Sequence, residues 1–578
     1  MRGKPAENGR LIPLSGRSTG TATAAERGAL DGDGTKRAVA LQLIDLTMAA
    51  YSLGKSEKDE PFAVSNERPH IAMPLRGGRN GYRSELARRY YELNDSVPGS
   101  QALTDACTVL EGKAAQGEVR RLYLRVAECD GIVYIDCGTA DCRAIRIGGG
   151  GWEVVDTAPV MFRRTRLTGS MAMPTRGHDL EELWRFAPIS QVDRPIVLAV
   201  LVHALIQPDT PHPILGLLAE QGRTKSSTTR TLVDLIDPSP VPLRQAPRDQ
   251  ESWSTAASAS WVVALDNLSN IPVWLSDSLC RASTGDGSIK RALYSDDDVA
   301  VTQFRRCVFA NGIDVGAVRG DLAERMALAD LDRLGPGARR TEKELASEWE
   351  QARAGVLGAL LDLAAGVQSR LPATIVENLP RMADFAKILA AVDAELGTSG
   401  LDRYRERAGR MAADSLTDDD FIARILVQRY ECSNASASRM LAELTPESKD
   451  WRKPRAWPRN ARAVTTLLRR HAPALRALGW TVSDDGGRNK ENSTHWTVGP
   501  PPLEQSCDAA SPGSPSSSAL VSAPASGESY GESDQAPFST GGLGEPVASK
   551  PEPANSPRRH VLKCEDEVGE YGESDSRL

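Results

Sequence analysis

The stretch that most restricts the fold is Pro213 to Asp237, PILGLLAEQGRTKSSTTRTLVDLID. Ile214, Leu215, Leu217 and Leu218 form a short apolar run that reads as a buried strand. The polar loop Ala219-Glu220-Gln221-Gly222-Arg223-Thr224 follows, and Lys225-Ser226 opens a helical segment that ends near Asp237-Pro238. In such a layout the backbone N–H groups and the helix N-terminus suit phosphate. The lysine neutralises the β and γ oxygens, and the hydroxyl suits Mg²⁺.

This is the layout of a P-loop, with departures. Ala219 and Thr224 stand where the usual pattern has glycine, and Gly222 alone supplies backbone freedom. The nucleotide-binding candidates are Gly222, Arg223, Thr224, Lys225, Ser226 and Ser227. An ordinary strand–turn–helix would leave the same local trace, so the context has to decide.

The context is an ordered series. Trp261 to Leu265 is a fully apolar strand that delivers Asp266 at its C-terminal end, 41 residues beyond Lys225. A carboxylate in that position holds Mg²⁺, making Ser226 and Asp266 the metal candidates; a capping Asp on a core strand is the plainer alternative. Leu279 to Asp298 contains a turn at Thr284 to Ser288, then Lys290-Arg291 and Tyr294, and reads as a hairpin carrying paired positive charge. Cys307 to Asn311 is a third apolar strand, ending in an amide. Arg319 and Arg325 follow, the latter 14 residues beyond Asn311.

The 578 residues suffice for about three or four domains. The longest largely apolar run, Pro195 to Ile206, has 12 residues and contains His203, too short to span a bilayer. No secretory h-region is present near the start. Nine scattered cysteines argue against a disulfide framework, and Cys137 and Cys142 have no second pair at zinc-like spacing. A cytoplasmic protein without membrane contact is expected.

The net charge of −7 conceals segregation. Residues 501–578 carry 13 acids against 5 bases, whereas residues 451–490 carry 10 bases against 2 acids. In the basic segment Asn460 to Leu478 reads as a helix bearing Arg462, Arg469 and Arg470. Gly479 to Val482 and His495 to Val498 read as strands around a turn with Arg488 and Lys490. A helix followed by a basic-tipped hairpin is how a winged helix ends, which makes these five cations DNA-binding candidates.

Elsewhere, residues 1–36 and 501–578 have the composition of disordered segments. Helical patterns begin at Arg37 and recur over Ser84–Leu93 and Gln101–Glu111, and Arg120 to Asp156 reads as a β-meander broken by a four-glycine run. Arg143, Arg146, Arg163, Arg164 and Arg166 fit a nucleic-acid surface or, the favoured reading, a solvated face. Thr341 to about Leu444 is mostly helical.

Taken in order, the strand ending in Asp266, the hairpin with Lys290-Arg291, the strand ending in Asn311 and Arg325 resemble the superfamily 3 branch of AAA+ ATPases. These are helicase engines of phages, plasmids and large DNA viruses. The chain is similar, over about residues 120–400, to an ATP-binding protein type of phages and integrated elements of actinobacteria. The phrases carrying that likeness are Asp266-Asn-Leu-Ser269, Leu275-Ser-Asp-Ser-Leu-Cys-Arg281, Arg291-Ala-Leu-Tyr294, Asn311-Gly-Ile313 and Pro380-Arg-Met-Ala-Asp-Phe385.

The resemblance implies an ATP- and Mg²⁺-dependent homo-oligomer, a hexameric ring with single-stranded DNA in its channel and duplex at the winged helix. Lys225, Asp266, Asn311 as sensor 1 and Arg325 as a finger into the neighbouring subunit would be catalytic, with Arg319 as rival finger. Lys290 and Arg291 would grip single-stranded DNA, with Tyr294 a stacking partner. Asn267 departs from the pattern, since many AAA+ enzymes have a second carboxylate there. An amide orients water but accepts no proton, which leaves a DNA-binding ATP switch with little turnover as the alternative; Asp277 is a possible substitute.

The expected architecture is α/β: a disordered segment 1–36, an N-terminal α+β module over 37–190, a P-loop AAA+ core over 191–335, a helical lid over 336–445, a winged helix over 446–500 and a disordered acidic tail over 501–578. An N-terminal primase is not supported, because 37–190 holds no zinc knuckle and no paired acidic motif on adjacent strands.

Overall fold

The computed structural model describes residues 38–502 except 77–80, 220–223, 292–298, 314–317, 319, 334–339, 418, 449, 455 and 487–493. The chain divides into two units, Met1–Leu503 and Glu504–Leu578, and only the first holds described residues. The disorder expected at 1–36 and through nearly all of 501–578 therefore lies outside them.

The first residues build a sheet that the sequence pattern conceals. Helix α1 (Val39–Ala50) passes directly into β1 (Tyr51–Ser56), which pairs antiparallel with β2 (Pro61–Ser65), and β2 pairs antiparallel with β3 (Ile71–Pro74). Helices α2 (Tyr82–Asn94) and α3 (Ser100–Ala115) pack with α1 and the sheet around Leu43, Tyr82, Leu86 and Leu110. The short strands β4 (Val119–Arg120) and β5 (Leu122–Tyr123) lie at the two edges of this sheet.

The meander is present as expected: β6 (Val126–Cys129), β7 (Ile132–Asp136), β8 (Ala144–Gly148) and β9 (Gly151–Val155) pair consecutively and antiparallel. Strand β10 (Met161–Arg163) then returns to the first sheet, parallel to both β3 and β5, giving the order β4-β1-β2-β3-β10-β5. Of the basic residues in this region, Arg146 pairs with Glu153 and Arg163 with Glu60 at half-exposed positions, whereas Arg164 turns inward to the buried Asp136 and so departs from the expected solvated face.

Helix α4 (Arg194–Ile206) is buried along its whole length from Pro195, because it is apolar all round. It leads to the parallel sheet of the core. The elements are β11 (Ile214–Leu218), α5 (Lys225–Ile236), α6 (Gln250–Ser258), β12 (Val262–Leu265), α7 (Val273–Thr284), the hairpin β13 (Gly287–Arg291) and β14 (Val299–Gln303), β15 (Cys307–Asn311), α8 (Gly320–Ala323) and β16 (Met326–Asp330). The strand order is β12-β15-β11-β16, all parallel, with every residue of β12 and β15 buried. Continuous apolar runs are what a parallel sheet covered on both faces requires. The hairpin differs from its expected position. Thr284 ends α7, Gly285 caps it in the left-handed region (φ 92°), and the hairpin strands begin only at Gly287.

Helices α9 (Glu342–Arg370), α10 (Ala383–Leu396) and α11 (Gly400–Thr417) follow. The first begins with a capping box, Thr341 and Glu344 satisfying each other's backbone N–H groups. A Cβ on Gly358 would lie 1.8 Å from the Thr175 carbonyl oxygen, so glycine alone allows α9 to rest on that segment. These helices share with α4, the meander and one face of the parallel sheet the largest apolar core.

Arg125 pins the meander to the core. It is fully buried, donating from Nε to Asp237 (2.8 Å) and from its other nitrogens to the carbonyls of Asp136, Gly169 and Pro238. Asp237, at the end of α5, also accepts the backbone N–H groups of Trp261 and Val262, both at 2.9 Å.

A separate core built on Trp457, Trp480 and Trp496 runs from Leu416 to Val498. Its elements are α12 (Asp420–Val427), β17 (Cys432–Ser436), α13 (Ala437–Leu444), α14 (Ala461–Ala477), β18 (Thr481–Asp484) and β19 (His495–Gly499), with antiparallel strand order β17-β19-β18. The elements expected at the end of the helical lid, α12 and α13, thus share the core of the C-terminal body, together with a strand absent from the expectation.

Candidate functional site

Four strands end on one edge of the parallel sheet, and the candidate residues gather there. Strand β11 runs toward Ala219, β12 delivers Asp266 and β15 ends in Asn311. Because β15 lies between β11 and β12, Asn311 reaches both neighbours. Ser226 Oγ donates to Asp266 Oδ1 at 2.8 Å, and Asn311 Nδ2 donates to the same oxygen at 2.8 Å. Asn311 Nδ2 also lies 2.9 Å from Thr229 Oγ1, which itself donates to the Lys225 carbonyl at 2.8 Å. The Asn311 Oδ1 accepts the backbone N–H of Asn267 at 2.9 Å, so both ends of the amide are engaged. Asn311 is 2% exposed, whereas Lys225, Ser226, Ser227 and Asp266 are half-buried and accessible.

The backbone supports this convergence. Asn267 adopts φ 55° and Gly312 φ 71°, and a Cβ on Gly312 would lie 2.9 Å from the Asn267 Cα. The Lys225 ammonium donates to the Ala219 carbonyl at 3.2 Å across the base of the loop. Thr224, at the N-cap of α5, offers no side-chain cap, and the first turn contains no acid. The positive end of this helix is thus not neutralised by its own side chains. Gly222 and Arg223, like Arg319, Tyr294, Arg488 and Lys490, lie outside the described residues.

Two features were missed by sequence reasoning. Thr229, one turn beyond Lys225, is the partner that fixes the Asn311 amide; its signal was the i, i+4 spacing on α5. Helix α11 supplies the other. Arg403 Nε and Arg407 Nη2 bond the buried Asp193 carboxylate at 3.0 and 2.8 Å, and Arg407 also pairs with Asp330. Asp330 ends β16 in register with Leu218, which anchors α11 at the rim of the site.

Arg325 is not presented at a surface. It is 7% exposed and held by Asp321, Nη1 reaching the carboxylate at 2.7 Å and the carbonyl at 2.6 Å. Burial alone would push the Asp321 carboxyl up, but Arg325, with Cys280 and Arg381, more than offsets it and holds the carboxyl below its ordinary range. A finger reaching a neighbouring subunit requires this pair to open. Asp277 lies on the exposed side of α7.

The expected DNA contacts separate. Lys290 and Arg291 occupy the last two rungs of the hairpin, opposite Ala300 and Val299. Its base is fixed to the N-terminal sheet by Lys58, whose Nζ donates to the Gln303 carbonyl at 2.9 Å. On α14, Arg462 is exposed and Arg469 pairs with Asp484 of β18 at 2.9 Å. Arg470 lines a cavity of about 290 Å³ against the core, with Asp321, Glu324, Arg381 and His471 among its neighbours.

A residue set of hydroxyl, carboxylate and lysine fits Mg²⁺ bound together with phosphate, an ion that keeps much of its water shell and takes few protein ligands. No group of three or more His, Cys, Asp or Glu among the described residues is arranged to hold a metal. Among the same residues no helix is long and apolar enough to cross a membrane.

Residues 180–419 match the family described as actinomycete integrative conjugative element replication protein, and residues 422–505 match the C-terminal domain of the RepA of such elements. The two stretches together span more than half of the chain. Two solved apo structures of the NrS-1 C-terminal region are similar at 12% and 13% identity, each covering 80% of this chain and all of its own, with TM-scores of 0.34 and 0.33. A likeness at that level does not transfer the position of any residue. No curated protein matches the sequence.

Proposed function

We propose that this chain, which matches the replication-protein models of actinomycete integrative conjugative elements over 180–419 and 422–505, binds Mg–ATP at the edge of the parallel sheet and uses it to act on DNA. The observation carrying this reading is the convergence of Ser226 and Asn311 on one oxygen of Asp266, beside Lys225 and the N-terminus of α5.

In this reading Lys225 and the first N–H groups of α5 hold the phosphates. Ser226 and Asp266 hold Mg²⁺, whose charge would offset that of the phosphate oxygens. Asn311, oriented by Thr229 and the Asn267 N–H, keeps the Asp266 carboxylate aimed at the metal position. No carboxylate stands at position 267, so turnover would depend on positioning and charge rather than on a strong general base. The strand order supports a superfamily 3-like AAA+ core, since it places the Asn311 strand between those carrying the loop and Asp266. Arg325 would act in a ring only after leaving Asp321, and Lys290 with Arg291 would meet single-stranded DNA at the hairpin end. The second reading, an ATP-switched initiator with little turnover, is favoured by Asn267 and by the sequestered Arg325.

The test is ATP hydrolysis by the whole chain, with and without single-stranded DNA, beside Lys225→Ala and Arg325→Ala. Turnover that DNA stimulates and both variants lose supports a ring-forming motor. Mg²⁺-dependent binding without turnover selects the switch, and no nucleotide binding removes both.

A further inference from the structure

The cations of the C-terminal body divide by what they touch. Arg469 is held by Asp484, Arg476 Nε donates to the Val482 carbonyl at 2.7 Å, and Arg470 faces the cavity against the core. Arg452, Lys453, Arg459 and Arg462 are exposed, lie outside that cavity, and make no side-chain hydrogen bond or ion pair among the described residues; Arg470 is exposed and unpaired as well, but stands at the cavity beside Asp321, Glu324 and Arg381. They cluster in sequence too, since Trp451 to Arg462 holds five cations and no carboxylate.

The segment that bears them is anchored. Trp451 meets Trp457 edge-on with ring centroids 5.1 Å apart, closing the loop between α13 and α14. Trp457 is buried, packs against Phe421 at 5.2 Å and donates from Nε1 to Thr445 Oγ1 at 3.3 Å. Arg452 and Lys453 lie inside the closed loop, while Arg459 and Arg462 flank Asn460, the N-cap of the 17-residue helix α14. The body therefore presents four uncompensated cations from a fixed loop at the start of the helix that precedes its hairpin.

We propose that Arg452, Lys453, Arg459 and Arg462 form a contact surface for the sugar-phosphate backbone of duplex DNA, with the start of α14 directed at a groove and Arg469 and Arg470 taking no direct part. The assignment rests on the reading of this chain as DNA-acting. It moves the contact away from three of the four α14 arginines and onto a loop that helix-by-helix reasoning passes over. Duplex is the favoured partner because the four cations stand on the loop before α14 and on its first turn, and cations around the start of a helix that enters a groove meet the flanking phosphates.

The experiment measures binding of full-length protein to a labelled duplex across a salt series, for wild type, the quadruple variant R452A/R459A/R462A/K453A, and Arg470→Ala. ATP hydrolysis without DNA is recorded for each, and circular dichroism checks the fold. Each lost phosphate contact reduces the slope of log affinity against log salt by about 0.9, so the quadruple variant is expected to lose about 3.6 units of slope and bind at least about 30-fold more weakly near 0.15 M salt. Arg470→Ala should bind as wild type, and a variant with lysine at 452, 459 and 462 should restore most of the slope.

A quadruple variant that folds and binds duplex as wild type overturns the inference, as does equal loss on Arg470→Ala. A wild type that hydrolyses ATP but binds only single strands or RNA also overturns it, while leaving the proposed function standing. Duplex binding with the expected slope in a chain that never binds ATP sinks the proposed function and leaves this surface intact.

Discussion

Asn311→Ala tests the geometry of the candidate site most sharply among single substitutions. The amide makes one hydrogen bond to a carboxylate and two to neutral groups, at 2.8 to 2.9 Å, from a residue 2% exposed. A charged hydrogen bond contributes about 1.5–3 kcal/mol and a neutral one about 1 kcal/mol. Asp266 is only half-buried, so water can replace part of the lost donation, and the lower end applies. We expect Asn311→Ala to lower the unfolding free energy by about 3 kcal/mol, read from urea denaturation followed by tryptophan fluorescence. Mg-nucleotide affinity should fall about tenfold as Asp266 loses a partner that orients it. Asn311→Asp should be worse at pH 8 than at pH 5, because two carboxylates in contact cannot both ionise cheaply. A loss under about 1 kcal/mol in Asn311→Ala, with nucleotide affinity unchanged, would refute the reasoning.

Two further outcomes are expected. Arg125→Ala leaves Asp237 buried without its counter-charge, which should cost about 3–5 kcal/mol and make the meander the first region to lose protection in hydrogen exchange. His203 and His212 are fully buried, and burial, before the nearby cations, lowers their pKa values, that of His203 from 6.5 to about 3. The unfolded chain binds protons below pH 6.5 that the fold refuses. Stability present above that pH is therefore lost as it falls toward 3, by about 1.4 kcal/mol per pH unit for His203, and His212 adds a loss of the same sign. Acid denaturation of His203→Phe should show a shallower slope than wild type; an unchanged slope would count against the buried neutral pair.

Lys225, Ser226, Asp266 and Asn311 were legible because each stands where an apolar run gives way to a polar residue, at a strand end or helix start. Their convergence was not, since it depends on β15 entering between two strands that precede it in sequence. The N-terminal sheet was concealed for a related reason. β2 is buried throughout, β4 and β5 are two residues long, and no breaker separates α1 from β1. Gly285 was misread because a glycine at φ 92° serves a helix cap as well as it serves a turn. Arg469 and Arg470 looked equivalent on paper, yet adjacent helix positions lie about 100° apart, which sets one against Asp484 of β18 and the other at the cavity beside Arg381.

The most direct measurement is equilibrium binding of a fluorescent ATP analogue to the purified chain, titrated with Mg²⁺, for wild type, Lys225→Ala and Asp266→Ala. The account predicts saturable, Mg²⁺-dependent binding by wild type. Affinity should weaken about tenfold or more in Lys225→Ala, and the Mg²⁺ dependence should disappear in Asp266→Ala. Equal binding by all three proteins, or none by wild type, would contradict it.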